Sequence, residues 1–127
     1  MKFYMNHEEW HLHFVYRSDP ILIDRTGNFT LGVTDPETRT VYISEGLDPQ
    51  MKERVIIHEL GHCAMVSYGL LDDIHAMVYP EKWIEAEEFV CNILADYGKK
   101  IFEAACNVLD DDTLQEVAYD ICSVVRR

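Results

Sequence analysis

The sequence predicts an α+β fold in which a small antiparallel sheet packs on one long helix and further helices follow. Segments rich in β-branched and aromatic residues, separated by turn residues, precede residue 45. Segments with helical spacing of apolar residues, opened by a capping residue or a proline, fill most of the rest. A length of 127 residues fits one domain, residues 1–127.

The charge balance argues against several classes of partner. The chain has 11 basic and 23 acidic residues and a net charge of −12, so we expect neither nucleic acids nor anionic membranes as ligands. No apolar run is long enough to cross a bilayer, and the N-terminus lacks the apolar core of a signal peptide. The predicted location is therefore cytoplasmic.

The first predicted strand spans residues 10–17, where aromatic and β-branched residues alternate with polar ones before Ser18, Asp19 and Pro20. His11 and His13 share one face of this strand and could hold a metal ion. Alternating histidines on a half-exposed strand are more often plain surface residues, so both interpretations stay open.

A hairpin follows, with strands at residues 29–34 and 39–44 and a turn at residues 35–38. Pro36 presets the backbone angle for the second position of a type I turn, and the Asp35 side chain can bond back to the backbone. The two strands are expected to be antiparallel and to lead directly into the next helix.

That helix is predicted over residues 48–69. Asp48 can act as N-cap, Pro49 suits the first helical position, and Gly69 provides a C-terminal stop. Its apolar side consists of Val55, Ile56, Leu60, Cys63, Ala64 and Val66. This pattern indicates a largely buried helix.

The helix carries the motif His58-Glu59-Leu60-Gly61-His62. Histidines four residues apart lie one turn apart, about 6 Å along the axis, so both imidazoles can reach one cation. In HExxH sites the intervening glutamate, here Glu59, acts as general base on a metal-activated water. The alternative is a pair of core histidines satisfied by hydrogen bonds, but the glutamate between them favours the metal site.

Residues 70–80 are predicted to form an irregular connection over this site, from which His75 or Tyr79 could stabilise an oxyanion. A second long helix opens at Pro80 and runs toward Gly98, and its pattern can extend through Phe102. A third helix is predicted from residue 112 to the C-terminus, with Asp112 as N-cap.

A catalytic zinc ion usually has three protein ligands, and the second helix offers three candidate glutamates. On a helical wheel Glu87 borders the apolar stripe, whereas Glu88 lies nearly opposite and Glu85 is a further candidate. Asn92, one turn after Glu88, could orient a ligand by hydrogen bonding. The residues alone therefore leave Glu87 and Glu88 both open.

The four cysteines form no CxxC pair, and all fall in segments with helical patterning. They are Cys63, Cys91, Cys106 and Cys122. We predict buried free thiols in a reducing compartment. Cys91 is the one cysteine for which a role at the metal site stays open, because it lies near the candidate third ligand.

The sequence resembles the ImmA/IrrE family of metallopeptidases, most of all its short phage and prophage versions. The resemblance covers about residues 29–97 and rests on HELGH, the preceding strand Thr40-Val41-Tyr42-Ile43, and Glu88-Phe89-Val90-Cys91-Asn92-Ile93-Leu94-Ala95. The family pattern Glu-x-x-(Cys/Ala)-Asn implies that Glu88 is the third zinc ligand. The chain lacks the family's Leu-Leu-Met-Pro helix ending and has no room for the DNA-binding or other accessory domain of longer members.

The resemblance implies a minimal zincin-like fold and a zinc-dependent metallopeptidase of the gluzincin type. His58, His62 and Glu88 would bind Zn²⁺, a preference that His and Glu ligation supports although manganese is an alternative. Glu59 would act as general base and His75 is the candidate for oxyanion stabilisation.

The expected substrate is a peptide or protein, which the strand at residues 38–44 would align as an added strand. The competing hypothesis is a metal-stabilised regulatory or interaction protein of a phage or prophage, without relevant catalysis. In that case the fourth coordination position would be blocked.

Overall fold

The structure, a computed structural model, describes residues 1–110, so the helix predicted from residue 112 lies outside the described residues. The class is α+β, as predicted, and consists of a four-stranded sheet and helices. The strands are β1 Lys2–Met5, β2 Glu8–Val15, β3 Gly32–Asp35 and β4 Thr40–Ser44. The α-helices are α1 Pro49–Ser67, α2 Leu71–Met77, α3 Trp83–Ile93 and α4 Lys99–Leu109.

The sheet has the order β1-β2-β4-β3 and is mixed, so the prediction of an antiparallel sheet is wrong in this respect. The hairpin of β3 and β4 is antiparallel as predicted. However, β4 pairs with β2 in parallel, with His11 opposite Thr40. The reason is that residues 16–31 carry the chain across the sheet, so that the second strand of the hairpin lies beside β2. This order leaves β3 as an edge strand.

The strand β1, for which the sequence carries no clear signal, pairs antiparallel with β2. The turn between them places Asn6 and His7 in the left-handed region, at φ values of 48° and 64°. Two positive φ values in a two-residue hairpin turn match the twist of the flanking strands. The pairing therefore depends on a turn that uses neither glycine nor proline.

The core lies between the sheet and α1. Its buried residues are Trp10, Leu12, Val41, Ile43, Val55 and Cys63. Trp10 is completely buried, and its indole nitrogen donates a 2.8 Å hydrogen bond to the Ser67 hydroxyl. This bond fixes the C-terminal end of α1 against β2.

The helix α1 has the predicted boundaries. The Asp48 side chain accepts a 2.9 Å hydrogen bond from the Met51 amide, and Pro49 is the first helical residue. Gly69, at φ 66°, lies just beyond the C-terminus, where a left-handed residue ends many helices. The sequence signals of capping and termination are therefore both confirmed.

Residues 71–77 form α2, so the predicted irregular connection over residues 70–80 is wrong for this segment. After a 3-10 turn at Pro80–Lys82, α3 continues through a π-helical segment, Leu94–Gly98, into α4. The helical structure therefore extends past Gly98, as the apolar pattern through Phe102 had indicated. In the described part of the chain, helices do not combine the length and apolar character needed to span a membrane.

The helix α3 packs closely on α1 at Gly61. A Cβ atom at Gly61 would lie only 3.1 Å from the Cys91 sulfur, so a larger residue there would have to displace Cys91 by a few tenths of an ångström. Arg54 of α1 also binds Asp96 through two hydrogen bonds, of 2.7 and 3.4 Å. The contact at Gly61 brings α3 close to the histidines of α1.

The predicted free thiols are confirmed for Cys63 and Cys91, which are buried and unpaired. Cys106 is disulfide-bonded, so the prediction is wrong for this residue. Helical patterning places a cysteine on an element but does not reveal whether it forms a disulfide. Cys122 lies beyond residue 110.

Candidate metal centre and active site

Two histidines of α1 and one glutamate of α3 meet at a single point. Nε2 of His58 lies 2.9 Å from Oε2 of Glu88, and Nε2 of His62 lies 3.1 Å from Oε1 of the same carboxylate. The two imidazole centroids are 5.1 Å apart, because the histidines are spaced by one helical turn. Both ring nitrogens therefore face one carboxylate.

These donors suit a zinc ion in type and spacing. In a tetrahedral site with metal–ligand bonds of 2.0–2.1 Å, neighbouring ligand atoms lie roughly 3.3 Å apart, close to the distances from Glu88 to the two histidines. If Nε2 of His58 binds a metal, its Nδ1 must carry the proton. That Nδ1 atom is buried and has no hydrogen-bond partner among residues 1–110.

The charges of the cluster are strongly coupled. Hydrogen bonds from His58 and His62 hold the pKa of Glu88 well below its usual range. The hydrogen bond to Glu88 raises the pKa of His58, the negative charges of Glu59 and Glu88 add to this, and burial opposes it. The carboxylate of Glu88 is thus charged and available as a ligand at neutral pH.

Glu59 is buried between α1 and the sheet edge, with 6% of its surface exposed. The Thr34 hydroxyl lies 2.9 Å from Oε1 of Glu59 and 3.2 Å from its backbone oxygen. The other oxygen, Oε2, lies 3.8 Å from Nε2 of His58. Burial raises the pKa of Glu59, opposed by the charge of His62 and the Thr34 hydrogen bond.

This arrangement requires glycine at position 32. A Cβ atom there would lie 2.8 Å from Cγ1 of Val55 and 2.9 Å from Cγ of Glu59, distances that non-bonded carbon atoms do not adopt. Gly32 therefore lets β3 approach the middle of α1, and this approach brings Thr34 to Glu59.

Glu87, which the helical wheel favoured, lies beside the cluster without reaching the histidines of α1. Its side chain is almost fully buried, and Oε1 lies 3.4 Å from Nη1 of Arg25. Its other oxygen, Oε2, lies 3.2 Å from Nε2 of His75. A buried carboxylate needs such partners to offset the loss of hydration. Glu88, in contrast, is the glutamate that contacts both His58 and His62.

His75 lies behind Glu87. Its ring stacks on Trp83 with centroids 4.2 Å apart, and the Trp83 indole donates a hydrogen bond to the His75 carbonyl. Tyr79, the other candidate for an oxyanion donor, is 77% exposed. The predicted oxyanion role of His75 stays a prediction, and its Nε2 contacts the Glu87 carboxylate.

Cys91 is also close to the cluster. Its sulfur and one ligand nitrogen from each of His58 and His62 all lie within 4.8 Å of one another, so these three residues could hold a metal ion. Burial raises the pKa of the Cys91 thiol to about 12, and the neighbouring carboxylates add to this shift. By its position Cys91 is therefore a second candidate for the third ligand, beside Glu88.

The second pair of histidines lies on the sheet. The rings of His11 and His13 stack with centroids 6.5 Å apart, and His11 Nε2 lies 3.1 Å from a Glu9 oxygen. His13 is exposed. This pair stays a surface feature of β2 and is not part of the group formed by His58, His62 and Cys91.

A cavity of about 480 Å³ opens beside the cluster. His58, Glu59, His62 and Glu88 line one side, and residues 31–34, which include most of β3, line another. The expectation that residues 38–44 align a substrate is wrong, because β4 is paired on both sides, with β2 and β3. Within residues 1–110, the strand next to the cavity that remains open for pairing is the edge strand β3.

Two residues around the cavity carried no motif in the sequence. Thr34 was predicted only as a hairpin residue, and Arg25 lies in a turn 62 residues before Glu87. The turn could be recognised from Gly27 and Asn28, but the contact of Arg25 with Glu87 depends on the fold. Asn92, in contrast, is exposed on α3.

Comparison with known proteins places the chain in a family. No curated protein matches the sequence. The family model Peptidase M78, described as the IrrE N-terminal-like domain, matches residues 5–125 and so covers nearly the whole chain. The observed α+β architecture, with a four-stranded mixed sheet and helices, is consistent with a small zincin-like fold. The chain therefore belongs to the Peptidase M78 family, as its resemblance to ImmA/IrrE metallopeptidases implied.

Proposed function

We propose that this protein is a zinc-dependent metallopeptidase that hydrolyses peptide bonds in a peptide or protein substrate. The observation that carries the proposal is that the Glu88 carboxylate lies 2.9 Å from Nε2 of His58 and 3.1 Å from Nε2 of His62. The buried carboxylate of Glu59 lies beside this cluster. His58, His62 and Glu88 would hold the metal ion. When bound, zinc supplies Lewis acidity, which polarises a carbonyl group and lowers the pKa of a water molecule.

Glu59 would act as general base. Thr34 holds Oε1 by a hydrogen bond, which leaves Oε2 to take a proton from the attacking water. A new carbon–oxygen bond forms at the scissile carbonyl, and the carbon–nitrogen bond breaks as the leaving nitrogen receives the proton from Glu59. The raised pKa of Glu59 suits a group that must both accept and return a proton.

The substrate would lie along β3. This strand is at the sheet edge and lines the cavity, so its backbone can pair with an extended peptide. The competing hypothesis, a metal-stabilised interaction protein without catalysis, requires a blocked coordination position. The cavity beside Glu59 favours the catalytic interpretation, because it leaves room for a peptide next to the three proposed ligands.

The proposal is tested with a library of quenched fluorescent peptides, incubated with protein that holds one equivalent of zinc. We expect cleavage that a chelator abolishes and added zinc restores. Stoichiometric zinc binding with no cleavage of peptides or unfolded proteins would contradict the catalytic proposal and favour the interaction protein.

A further inference from the structure

Arg25 lies on the wall of the cavity that holds Glu59 and Glu88. We propose that Arg25 is a further catalytic residue, whose guanidinium donates hydrogen bonds to the oxyanion that develops on the scissile carbonyl oxygen. The inference rests on the proposed peptidase function and assigns to Arg25 the role that the sequence suggested for His75.

A rigid turn presents Arg25 to the cavity. Oδ1 of Asp24 accepts hydrogen bonds from the amides of Thr26 and Asn28, at 2.8 and 3.2 Å. Gly27 adopts φ 85°, which a glycine tolerates without strain. Local hydrogen bonds therefore hold the backbone on the C-terminal side of Arg25. The conformation of this turn does not depend on the Arg25 side chain.

The guanidinium is held close to the proposed metal ligands by long contacts. Nη1 lies 3.4 Å from Oε1 of Glu87, and Nη2 lies 3.9 Å from Oε1 of Glu88, which itself is 3.1 Å from His62. A guanidinium carries five N–H donors, and 48% of the Arg25 side chain is exposed. Donors thus remain accessible to a substrate in the cavity, next to the cluster.

Glu87 and His75 act as positioning residues for this guanidinium. Glu87 is only 5% exposed, and its second oxygen contacts His75, whose ring is fixed by stacking on Trp83. A buried carboxylate that is itself held by His75 gives the Arg25 guanidinium a fixed partner. This role accounts for the buried carboxylate of Glu87, which has no part in the proposed chemistry of Glu59 and the three metal ligands.

Arg54 provides the comparison within the same cavity. It also lines the wall, but Asp96 occupies its guanidinium through two hydrogen bonds, of 2.7 and 3.4 Å. Arg25 makes longer contacts and so has more to gain from a developing negative charge. Charge-assisted hydrogen bonds to an oxyanion are stronger than hydrogen bonds between neutral groups.

The test uses the full chain loaded with one equivalent of zinc, as wild type and as the variants Arg25→Ala, Arg25→Lys and Arg54→Ala. Zinc affinity is measured by competition with a chromophoric chelator. Inorganic phosphate, a tetrahedral anion that resembles the hydrolytic transition state, is titrated by calorimetry. For a peptide that the wild type cleaves, kcat and KM are measured separately.

We expect Arg25→Ala to weaken phosphate binding by about 10- to 100-fold and to lower kcat by about 10² to 10³-fold with little change in KM. Arg25→Lys should fall between this variant and wild type, and it carries the test if the alanine variant does not fold. Arg54→Ala should change phosphate affinity by less than about 3-fold, since it removes the same charge but a guanidinium that Asp96 already engages. Zinc affinity should stay within about 3-fold of wild type in all variants.

Wild-type phosphate affinity in Arg25→Ala, or no phosphate binding to the zinc-loaded wild type, would overturn the assignment. A rise in KM with unchanged kcat would also overturn it, since Arg25 would then bind substrate only in the ground state. Loss of zinc binding in Arg25→Ala would also overturn the assignment, since Arg25 would then act by supporting Glu88 as a metal ligand. A wild type that binds zinc and phosphate but cleaves no peptide would contradict the peptidase function itself, and with it any catalytic role of Arg25.

Discussion

The hydroxyl of Thr34 lies 2.9 Å from Oε1 of Glu59. This contact joins the edge strand β3 to the glutamate of the HExxH helix, so the same strand that borders the cavity also orients the proposed general base. The second oxygen of Glu59 is left facing the metal-site side, 3.8 Å from Nε2 of His58. The sheet edge and the HExxH helix are therefore joined directly at the proposed general base.

The first prediction concerns Glu59→Gln. The amide keeps the shape and the contact with Thr34 but cannot accept a proton, so hydrolysis should fall by about 10² to 10⁴-fold. Zinc content should be unchanged, because His58, His62 and Glu88 are intact. Rates are measured on a peptide cleaved by wild type, with zinc determined by elemental mass spectrometry.

Glu85→Gln is the matched control, since Glu85 is 71% exposed and pairs with Lys82 at the surface. This variant should keep wild-type rates. Full activity in Glu59→Gln would remove Glu59 from the mechanism.

The second prediction concerns Gly32→Ala. The added methyl group would lie 2.8 Å from Val55 and 2.9 Å from Glu59, so either β3 or the Glu59 side chain must move. We expect a stability loss of about 1–3 kcal/mol and a lower kcat. Both are measured, by chemical denaturation and by peptide cleavage.

Gly98→Ala serves as its control, because a Cβ atom at Gly98 meets no atom of the described residues within 4 Å. That variant should be neutral or more stable by up to about 1 kcal/mol, since alanine favours helices over glycine. Equal behaviour of the two glycine variants would argue against a close approach of β3 to Glu59.

The third prediction concerns Ser67→Ala. The change removes the acceptor of the 2.8 Å hydrogen bond from the buried Trp10 indole, so a buried donor is left unsatisfied. The free energy of unfolding should fall by about 1–3 kcal/mol, as measured by urea denaturation with tryptophan fluorescence. Ser18→Ala, at an exposed turn position, should leave it unchanged, and a similar loss in both variants would contradict the explanation.

The fourth prediction separates Cys91 from the proposed ligands. Cys91 packs under Gly61, where its sulfur fills the space between α1 and α3, and the family pattern accepts alanine at this position. We expect Cys91→Ala to keep one zinc per chain, with a modest loss of stability because a small cavity forms. Loss of zinc in this variant would make Cys91 a ligand.

Signals contained within a few residues predicted much of the fold. The cap at Asp48, the stop at Gly69 and the turn at Pro36 each act on their own neighbours, and the structure confirms α1 and the hairpin. The parallel pairing of β2 with β4 joins His11 to Thr40, and no local pattern determines such a contact. β1 also escaped prediction, because its turn uses Asn6 and His7 in left-handed conformations.

The candidate site was predictable to a similar extent. The positions of His58, Glu59 and His62 follow from helical spacing alone. The helical wheel correctly marked Glu87 as the more buried glutamate, but burial does not determine which carboxylate contacts the histidines. Glu87 contacts Arg25 and His75, whereas the more exposed Glu88 contacts both histidines of α1. Family resemblance, not amphipathicity, identified the glutamate that the structure places against them.

The most direct test of the account is the zinc content of purified wild type, Glu88→Ala and Glu87→Ala. The account predicts one zinc ion per chain in wild type, retention in Glu87→Ala, and loss in Glu88→Ala. Loss of zinc only in Glu87→Ala would contradict the proposed ligand set. Absence of zinc from every sample, after incubation with excess zinc and removal of the unbound metal, would contradict the metallopeptidase proposal as a whole.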